Sequence, residues 1–229
     1  IGINLGAEDG GCHESLGEPF WMYDPVNCLI ERNMLFGGVL IEGNITTFQS
    51  LRERMQGRKG LFCVHAYIEP ASIFETLLRA QPCDPKFEDE RQVKSRITTG
   101  EIDILKIDLD FGDCDFLQAL LSKGVRPKVV HVEINPFFPP PFAYRQRFSS
   151  KLLHSHGEPR AFIEQLHSSE FRPWRIGCSL SAYHEVLGGP EAYSLVQLEF
   201  VDALFVRADV ASKLPLATIV GPSLHPSDL

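Results

Sequence analysis

Polar side chains gather at the ends of two predicted strands that follow one another along the chain. In the run IDILKIDLD, residues 102–110, Asp108 and Asp110 share one face of the strand. Glu133 and Asn135 end the run PKVVHVEIN in the same way. Carboxylates that crowd together at a strand end need water, a cation or a proton donor as neighbour. Asp108 and Asp110 therefore predict either a general base or, together with Glu133 and Asn135, an oxygen-rich Mg²⁺ site.

A glycine-rich turn follows the first apolar run of the chain, in the order Gly6-Ala7-Glu8-Asp9-Gly10-Gly11. Glycine lets a backbone adopt positive φ and approach a ligand closely. Glu42 ends the next predicted strand, where a carboxylate can accept hydrogen bonds from both hydroxyls of a ribose. The turn and Glu42 together predict a nucleoside cofactor. A tight loop that binds nothing is the alternative, because a GxxxG spacing alone has low specificity.

Both groups of residues need a scaffold that places strand ends side by side, and the chain alternates strands with helices. Short apolar strands are predicted at residues 1–5, 39–42, 61–68, 102–110 and 127–135. Helices are predicted after capping residues or proline. Asp24 caps the first of them, which begins at Pro25, and the others begin near Asn44, Pro70, Asp113 and Ser179. Residues 81–101 are polar and charged, and they predict a loop. Two closely spaced strands, 193–200 and 202–208, can form only an antiparallel hairpin.

This order of elements predicts an α/β fold with a mostly parallel sheet and helices on both faces. The terminal antiparallel hairpin narrows the fold to a Rossmann-like sheet with one reversed strand. We expect a single domain, residues 1–229, with an irregular insertion rich in proline and aromatic residues at about 136–175. In open sheets of this kind ligands bind at the carboxyl ends of the strands, where the candidate residues lie.

The composition excludes several classes of protein. The net charge of −8 argues against a binder of nucleic acids or anionic membranes, which needs a surplus of Lys and Arg. No apolar run approaches the roughly 20 residues that span a bilayer. The chain opens inside a predicted core strand without an initiator Met, so we expect a further segment upstream.

The six cysteines are scattered along the chain and form no CxxC pair. In a domain of this size that pattern predicts reduced, mostly buried thiols, and not a disulfide framework. We therefore expect a soluble intracellular protein, located in the cytoplasm or inside an organelle.

Several motifs in their order along the chain resemble the FkbM-type methyltransferases, which depend on S-adenosylmethionine. The resemblance rests on NLGAEDG, GVLIEGN with its following helix, IDILKIDLDFGDCDFLQALL and RPKVVHVEINP. The terminal GCSLSAYHEVL and YSLVQLEFVDALFVRADVA resemble the tail of a divergent branch of that family. The likeness covers about residues 1–134 and 176–211. It implies a seven-stranded methyltransferase sheet with the cofactor over the first two strand ends.

The resemblance also implies roles for single residues. Those that would match the glycine-rich motif around the methionine part of the cofactor are Gly6, Ala7, Asp9 and Gly10. Glu42 would match the acid that binds the ribose, and Tyr67 and Ile68 fall where the family covers the adenine. Asp108 and Asp110 would lie next to the transferred methyl group.

The chain departs from the family pattern at two positions. Asn4 stands where the first motif usually carries an acid tied to the ammonium group of the cofactor. Phe111 stands where a glycine commonly follows the second acid of the fourth strand, and here Gly112 comes one place later.

Three functions follow from these patterns. The first is a methyltransferase that uses S-adenosylmethionine to methylate an oxygen of a small or glycosidic acceptor, with Asp108 or Asp110 as the base. The second, favoured by Asn4 and Phe111, is an inactive methyltransferase-like domain that serves as a structural or binding subunit. A protein partner would then contact the apolar stretch at residues 136–148. A nicotinamide-dependent enzyme is the third, and the glycine spacing does not match its GxGxxG motif.

Overall fold

The structure is a computed structural model that describes residues 1–8, 10–12, 24–34, 37–87, 91–109, 111–149, 177–199 and 201–214. Its strands are β1 (Gly2–Leu5), β2 (Gly38–Glu42), β3 (Leu61–His65), β4 (Gln81–Pro82), β5 (Ile104–Ile107), β6 (Val129–Glu133), β7 (Tyr193–Glu199) and β8 (Asp202–Arg207). They form one sheet in the order β4-β3-β2-β1-β5-β6-β8-β7. The five central strands are parallel, and β4, at one edge, is antiparallel to β3.

The terminal hairpin is antiparallel, as the sequence predicts, because β8 pairs with both β6 and β7 in that sense. The strand order changes direction at β1, which lies between β2 and β5. Such a switch point leaves a crevice at the carboxyl ends of the strands on either side. The glycine-rich turn follows β1 and therefore lies at this point.

The helices among the described residues are α1 (Pro25–Glu31), α2 (Ile45–Arg54), α3 (Ile73–Leu78), α4 (Arg91–Thr98), α5 (Asp113–Ser122), α6 (Leu180–Val186) and α7 (Ala208–Ala211). The predicted caps are present at Asp24, Asn44 and Ser179, whose side chains each accept a backbone N–H of the first turn. None of these helices is long and apolar enough to cross a membrane.

Helices cover both faces of the sheet, since alternate strand residues belong to different cores. Val39 and Ile41 lie in the larger core, which contains apolar residues of α3, α4, α5 and α6. Leu40, between them, lies in the smaller core with residues of α1 and α2. The α/β class and the two-sided covering are therefore as predicted.

The prediction of a loop over residues 81–101 is wrong, and so is the count of seven strands. Gln81–Pro82 adds an eighth strand at the sheet edge, and Arg91–Thr98 forms α4. The strand is too short for a visible alternation of apolar residues. The helix buries only Val93 and Ile97, four residues apart, and its other positions are polar. A single buried pair gives no clear helical stripe in a charged sequence.

The prediction of reduced cysteines is also wrong. The structure contains three disulfides, Cys12–Cys28, Cys63–Cys83 and Cys114–Cys178, and no free cysteine. The paired Cα atoms lie 4.4, 4.9 and 6.1 Å apart, within the range that a disulfide spans. The fold creates these pairs: β3 and β4, for example, place Cys63 opposite Gln81, two residues before Cys83. The pairing removes the support that free thiols gave to a cytoplasmic location.

Candidate functional site

Polar side chains form a row across the middle of the sheet, on the face that α1 covers. Asn4 of β1 lies opposite Lys106 of β5, which lies opposite His131 of β6. In each of these strands the two residues that flank the polar one are apolar. The row is therefore a buried polar layer directly beneath the strand ends.

A second row follows two residues further along the same face, at the carboxyl ends of the strands. It contains Gly6 after β1, Asp108 after β5 and Glu133 at the end of β6. Asp202 of β8 lies opposite Glu133, and Glu42 ends β2 on the other side of β1. The structure thus brings the candidates Glu42, Asp108 and Glu133 to one edge of the sheet. Asp110 is outside the described residues.

The glycines of the turn after β1 are required by the packing of the protein itself. Gly6 has a φ of +82°, and a Cβ there would lie 2.0 Å from the backbone oxygen of Asp108. Gly10 has a φ of +78°, and a Cβ there would approach Leu51 and Met55 to within 3 Å. Larger residues would force the turn away from β5 and α2. Asp9 lies outside the described residues.

The backbone of this turn is held against β2. The N–H groups of Gly6 and Ala7 both donate to the carbonyl oxygen of Ile41, at 3.1 and 3.0 Å. The N–H of Glu8 donates to Oε2 of Glu42 at 3.1 Å, and Asn44 N–H donates to Oε1 at 2.6 Å. Glu42 therefore joins the two loops that border the crevice.

Glu42 keeps the capacity to bind a ligand. Burial raises the pKa of its carboxyl, and backbone hydrogen bonds, foremost those from Asn44 and Glu8, oppose that shift. Oε2 accepts the N–H of Glu8 and Oε1 accepts the N–H of Asn44, and each of these oxygens has a further lone pair. Two adjacent hydroxyls, such as those of a ribose, can use these remaining positions.

An aromatic ring lies beside Glu42. The side chain of Tyr67 is 55% exposed and covers Gly43, where a Cβ would lie 2.8 Å from two ring atoms. Burial and the charge of Glu42 raise the pKa of Tyr67. Ile68, the other candidate for covering the adenine, has its side chain in the larger core.

Lys106 is the buried cation of the site. Its Nζ lies 2.9 Å from Oδ2 of Asp24 and 3.0 Å from Oδ2 of Asp108, and it donates to the Gly6 carbonyl oxygen at 3.0 Å. Burial acts to lower the pKa of Lys106, but the charges of Asp108 and Asp24 outweigh it and raise the pKa. Lys106 is therefore charged, and its three N–H donors link the turn, the start of α1 and the end of β5.

Asn4 extends this network. Its Nδ2 donates to Oδ2 of Asp24 at 2.9 Å and to Oδ1 of Asn27 at 3.1 Å. Asn27 in turn donates through Nδ2 to the carbonyl oxygen of Ala7 at 3.0 Å. Asn4 is fully buried and supports the turn from below.

Two titratable groups flank the lysine on the side of β8. His131 is mostly buried, and its burial and the charge of Lys106 lower its pKa to about 4. Burial and the charge of Asp108 raise the pKa of Asp202 to about 6. At neutral pH the imidazole is therefore neutral and Asp202 is mostly ionised.

The residues proposed for a Mg²⁺ site do not assemble as one in the part of the chain that the structure describes. No three His, Cys, Asp or Glu side chains come together there as metal ligands. Asn135 serves its own turn, since its Oδ1 accepts the N–H of Phe137 and its N–H donates to Cys178. Its amide oxygen therefore binds backbone.

The apolar stretch at residues 136–148 is anchored to the start of α6. Oγ of Ser179 donates to the carbonyl oxygen of Phe142 and accepts the N–H of Tyr144. Phe137 and Phe142 remain 59% and 64% exposed. The ring of Phe111 stacks on Phe148 at 6.1 Å between centroids, which accounts for a phenylalanine after the strand-end acids.

Sequence reasoning missed Asp24, Lys106 and Asp202 as parts of the site. Asp24 was predicted only as a helix cap, and Asp202 only as part of a hairpin. Lys106 carries the signal that could have revealed the network, because it stands between buried apolar residues in the run ILKI. A lysine in such a strand needs carboxylate partners.

Glu42 and the exposed ring of Tyr67 lie on one side of β1, and Asp108, which is paired with Lys106, lies on the other. This arrangement can hold a polar, ring-containing ligand at the switch point and present Asp108, whose side chain is 37% exposed, to a second molecule.

No protein-family model matches this chain, and no curated protein matches it.

Proposed function

We propose that this chain is an S-adenosylmethionine-dependent methyltransferase of the FkbM type, with the Rossmann-like sheet of that class. Its reaction would be methyl transfer to an oxygen of a small or glycosidic acceptor. The observation that carries the proposal is the adjacency of Glu42 and Tyr67 at the switch point, with Asp108 across the Gly6 turn. The negative charge of these strand ends suits a cationic cofactor.

When bound, S-adenosylmethionine supplies an electrophilic methyl group on a sulfonium. In this proposal Glu42 accepts the ribose hydroxyls through its two remaining lone pairs. The exposed ring of Tyr67 stacks on the adenine. The backbone of the Gly6–Ala7 turn, held by Ile41 and Asn27, forms the wall beside the methionine part.

Asp108 is the base of the proposed reaction. Its carboxylate is oriented by Lys106 and is partly exposed, so an acceptor hydroxyl can donate to it. Asp108 would take the proton of that hydroxyl, and the cofactor would supply the methyl group and be released as S-adenosylhomocysteine. Most of the rate enhancement comes from holding the two reactants in line.

The test is calorimetric titration of the purified chain with S-adenosylmethionine and with its demethylated product, S-adenosylhomocysteine. We expect micromolar binding by the wild type and a large loss in Glu42→Gln, which cannot accept hydrogen bonds on both sides. Glu53→Gln on the exposed side of α2 is the control and should bind like the wild type. No binding by a folded wild-type chain would reject the proposal.

The second candidate, a structural or binding subunit without turnover, is favoured by two observations. The turn N–H groups of Gly6 and Ala7 are bound to Ile41, and Phe137 and Phe142 are largely exposed. A Phe137→Ser/Phe142→Ser variant separates the two functions. It should leave cofactor binding unchanged if the chain is an enzyme, and abolish complexes with partner proteins if the chain is a subunit.

A further inference from the structure

Asp24 has two functions in the structure, one local and one at the centre of the sheet. Its Oδ1 accepts the N–H of Asn27 at 2.8 Å and so caps α1. Its Oδ2 lies 2.9 Å from Nζ of Lys106 and accepts the amide of Asn4, also at 2.9 Å. The side chains of Asp24 and Lys106 are both only 4% exposed. A cap alone needs neither this burial nor the second oxygen.

The charges around Lys106 do not cancel. One ammonium faces two carboxylates, of which Asp24 is buried and Asp108 is 37% exposed. The buried pair is internally balanced, so the excess negative charge is carried by Asp108 and faces the crevice. An acid at position 4 would add a third carboxylate to this buried group, against a single cation. Asn4, which donates to Asp24, fits the network without that conflict.

We infer that Asp24 supplies the buried carboxylate that position 4 lacks, and that it acts through Lys106 as a positioning residue for the Gly6 turn and Asp108. This inference rests on the proposed function. Asp24 lies outside the glycine-rich motif, and by balancing the charge of Lys106 it leaves the negative charge of Asp108 to face the cofactor. It also gives Asn4 a definite role, as the neutral donor that holds Asp24 in place.

The inference predicts a complementation between positions 4 and 24. Asp24→Asn removes the charge and retains a good helix cap, because Asn and Asp are equivalent at that position. Asn4→Asp adds a third carboxylate. The exchange Asn4→Asp/Asp24→Asn moves the carboxylate across the same hydrogen bond and keeps it beside Lys106. We expect each single variant to lower the thermal midpoint by several degrees, and the exchange to recover most of that loss.

The difference in affinity between two related cofactors distinguishes the inferred role of Asp24 from a merely structural one. S-adenosylmethionine carries a sulfonium charge that S-adenosylhomocysteine lacks, while the rest of the two molecules is the same. Asp24→Asn makes the lysine group neutral overall, so it should weaken binding of the charged cofactor by about tenfold or more. The neutral product should lose a smaller factor. A loss of structure alone would weaken both by the same factor.

The titrations are made at pH 7.5, where His131 is neutral and Asp202 is mostly ionised in the wild type. Recovery of both the thermal midpoint and the preference for the charged cofactor in the exchange variant supports the inference. The inference is overturned if the single Asp24→Asn variant behaves like the wild type. It is also overturned if the decrease of the thermal midpoint in the exchange variant is the sum of the decreases in the two single variants. If no form binds either compound, the proposed function fails, and the thermal midpoints still decide whether the two positions complement each other.

Discussion

Nε2 of His131 lies 3.7 Å from Oδ1 of Asp202 across strands β6 and β8, and the pKa values of the two side chains are shifted in opposite directions. The pKa of His131 is lowered to about 4 and that of Asp202 is raised to about 6, in both cases mainly by burial. The contact joins a neutral ring to a carboxylate at neutral pH. It is too long for a hydrogen bond, so neither group compensates the burial of the other.

These shifts predict opposite contributions to stability in mild acid. Between pH 6.5 and 4 the unfolded chain protonates His131 and the folded chain does not, so stability falls as the pH falls. Between pH 6 and 3.8 the folded chain retains a proton on Asp202 that the unfolded chain has lost, so stability rises as the pH falls. In the wild type the two contributions offset each other over their shared range.

Single substitutions should separate the contributions of His131 and Asp202 to the pH dependence of stability. Asp202→Asn is expected to raise the thermal midpoint at pH 7 and to make its decline towards pH 4 steeper. In His131→Gln the thermal midpoint is expected to rise as the pH falls, or to fall less than it does in the wild type. Circular dichroism melts at several pH values between 4 and 7 measure both slopes. If all three proteins showed one and the same pH dependence, the buried pair would not be the titrating element.

Gly6 provides a test of how tightly the turn packs on β5. Gly6→Ala must strain a φ of +82° and also push the backbone of Asp108 away. Gly57→Ala is the matched control, because its φ is +75° and no atom lies within 4 Å of the added Cβ. We expect the control to lose about 1–2 kcal/mol from the backbone alone and Gly6→Ala to lose about 3 kcal/mol or more. Urea unfolding measures the difference, and equal losses would mean that the turn yields easily.

The base assignment predicts a separation of binding from turnover. Asp108→Asn should lower methyl transfer to sugar and hydroxylated acceptors by about 10²- to 10⁴-fold, the usual contribution of a general base. It removes the charge of one of the two carboxylates beside Lys106, which remains paired with Asp24, so the chain should fold and bind cofactor with a modest loss. Transfer of a tritiated methyl group and calorimetry measure the two properties. Unchanged turnover would remove Asp108 from the mechanism.

The disulfides predict a protein without titratable thiols. Alkylation before reduction should add no mass, and alkylation after reduction under denaturing conditions should modify all six cysteines. Removal of the edge bond by Cys63→Ser/Cys83→Ser should lower the free energy of unfolding by about 2–4 kcal/mol. The effect should be absent when both proteins are measured under reducing conditions. Six reactive thiols in the native protein would contradict the pairing.

The sequence predicted the elements whose signals are local and missed those that depend on distant partners. Apolar runs located the central strands, and Asp24, Asn44 and Ser179 marked the starts of three helices. Helix α4 was missed because Val93 and Ile97 are its only buried residues. A local pattern of that size is indistinguishable from chance spacing in a charged segment.

The site was predicted to a similar extent. The strand ends carrying Glu42, Asp108 and Glu133 were found because parallel strands must end together. The partnership of Lys106 with Asp24 joins residues that are far apart in the chain, and no local rule links them. The cysteine pairs were missed for the same reason, since each bond joins residues separated by 16, 20 or 64 positions.

The Cys114–Cys178 bond joins the first turn of α5 to the residue just before the cap of α6, and residues 150–176 lie between these two points. A single cut of the chain anywhere in that interval would therefore produce two fragments that stay covalently attached. Such a nicked protein would run as one band on a non-reducing gel and as two bands after reduction. The strands that follow the cut, β7 and β8, would remain tethered to the five parallel strands that carry the site.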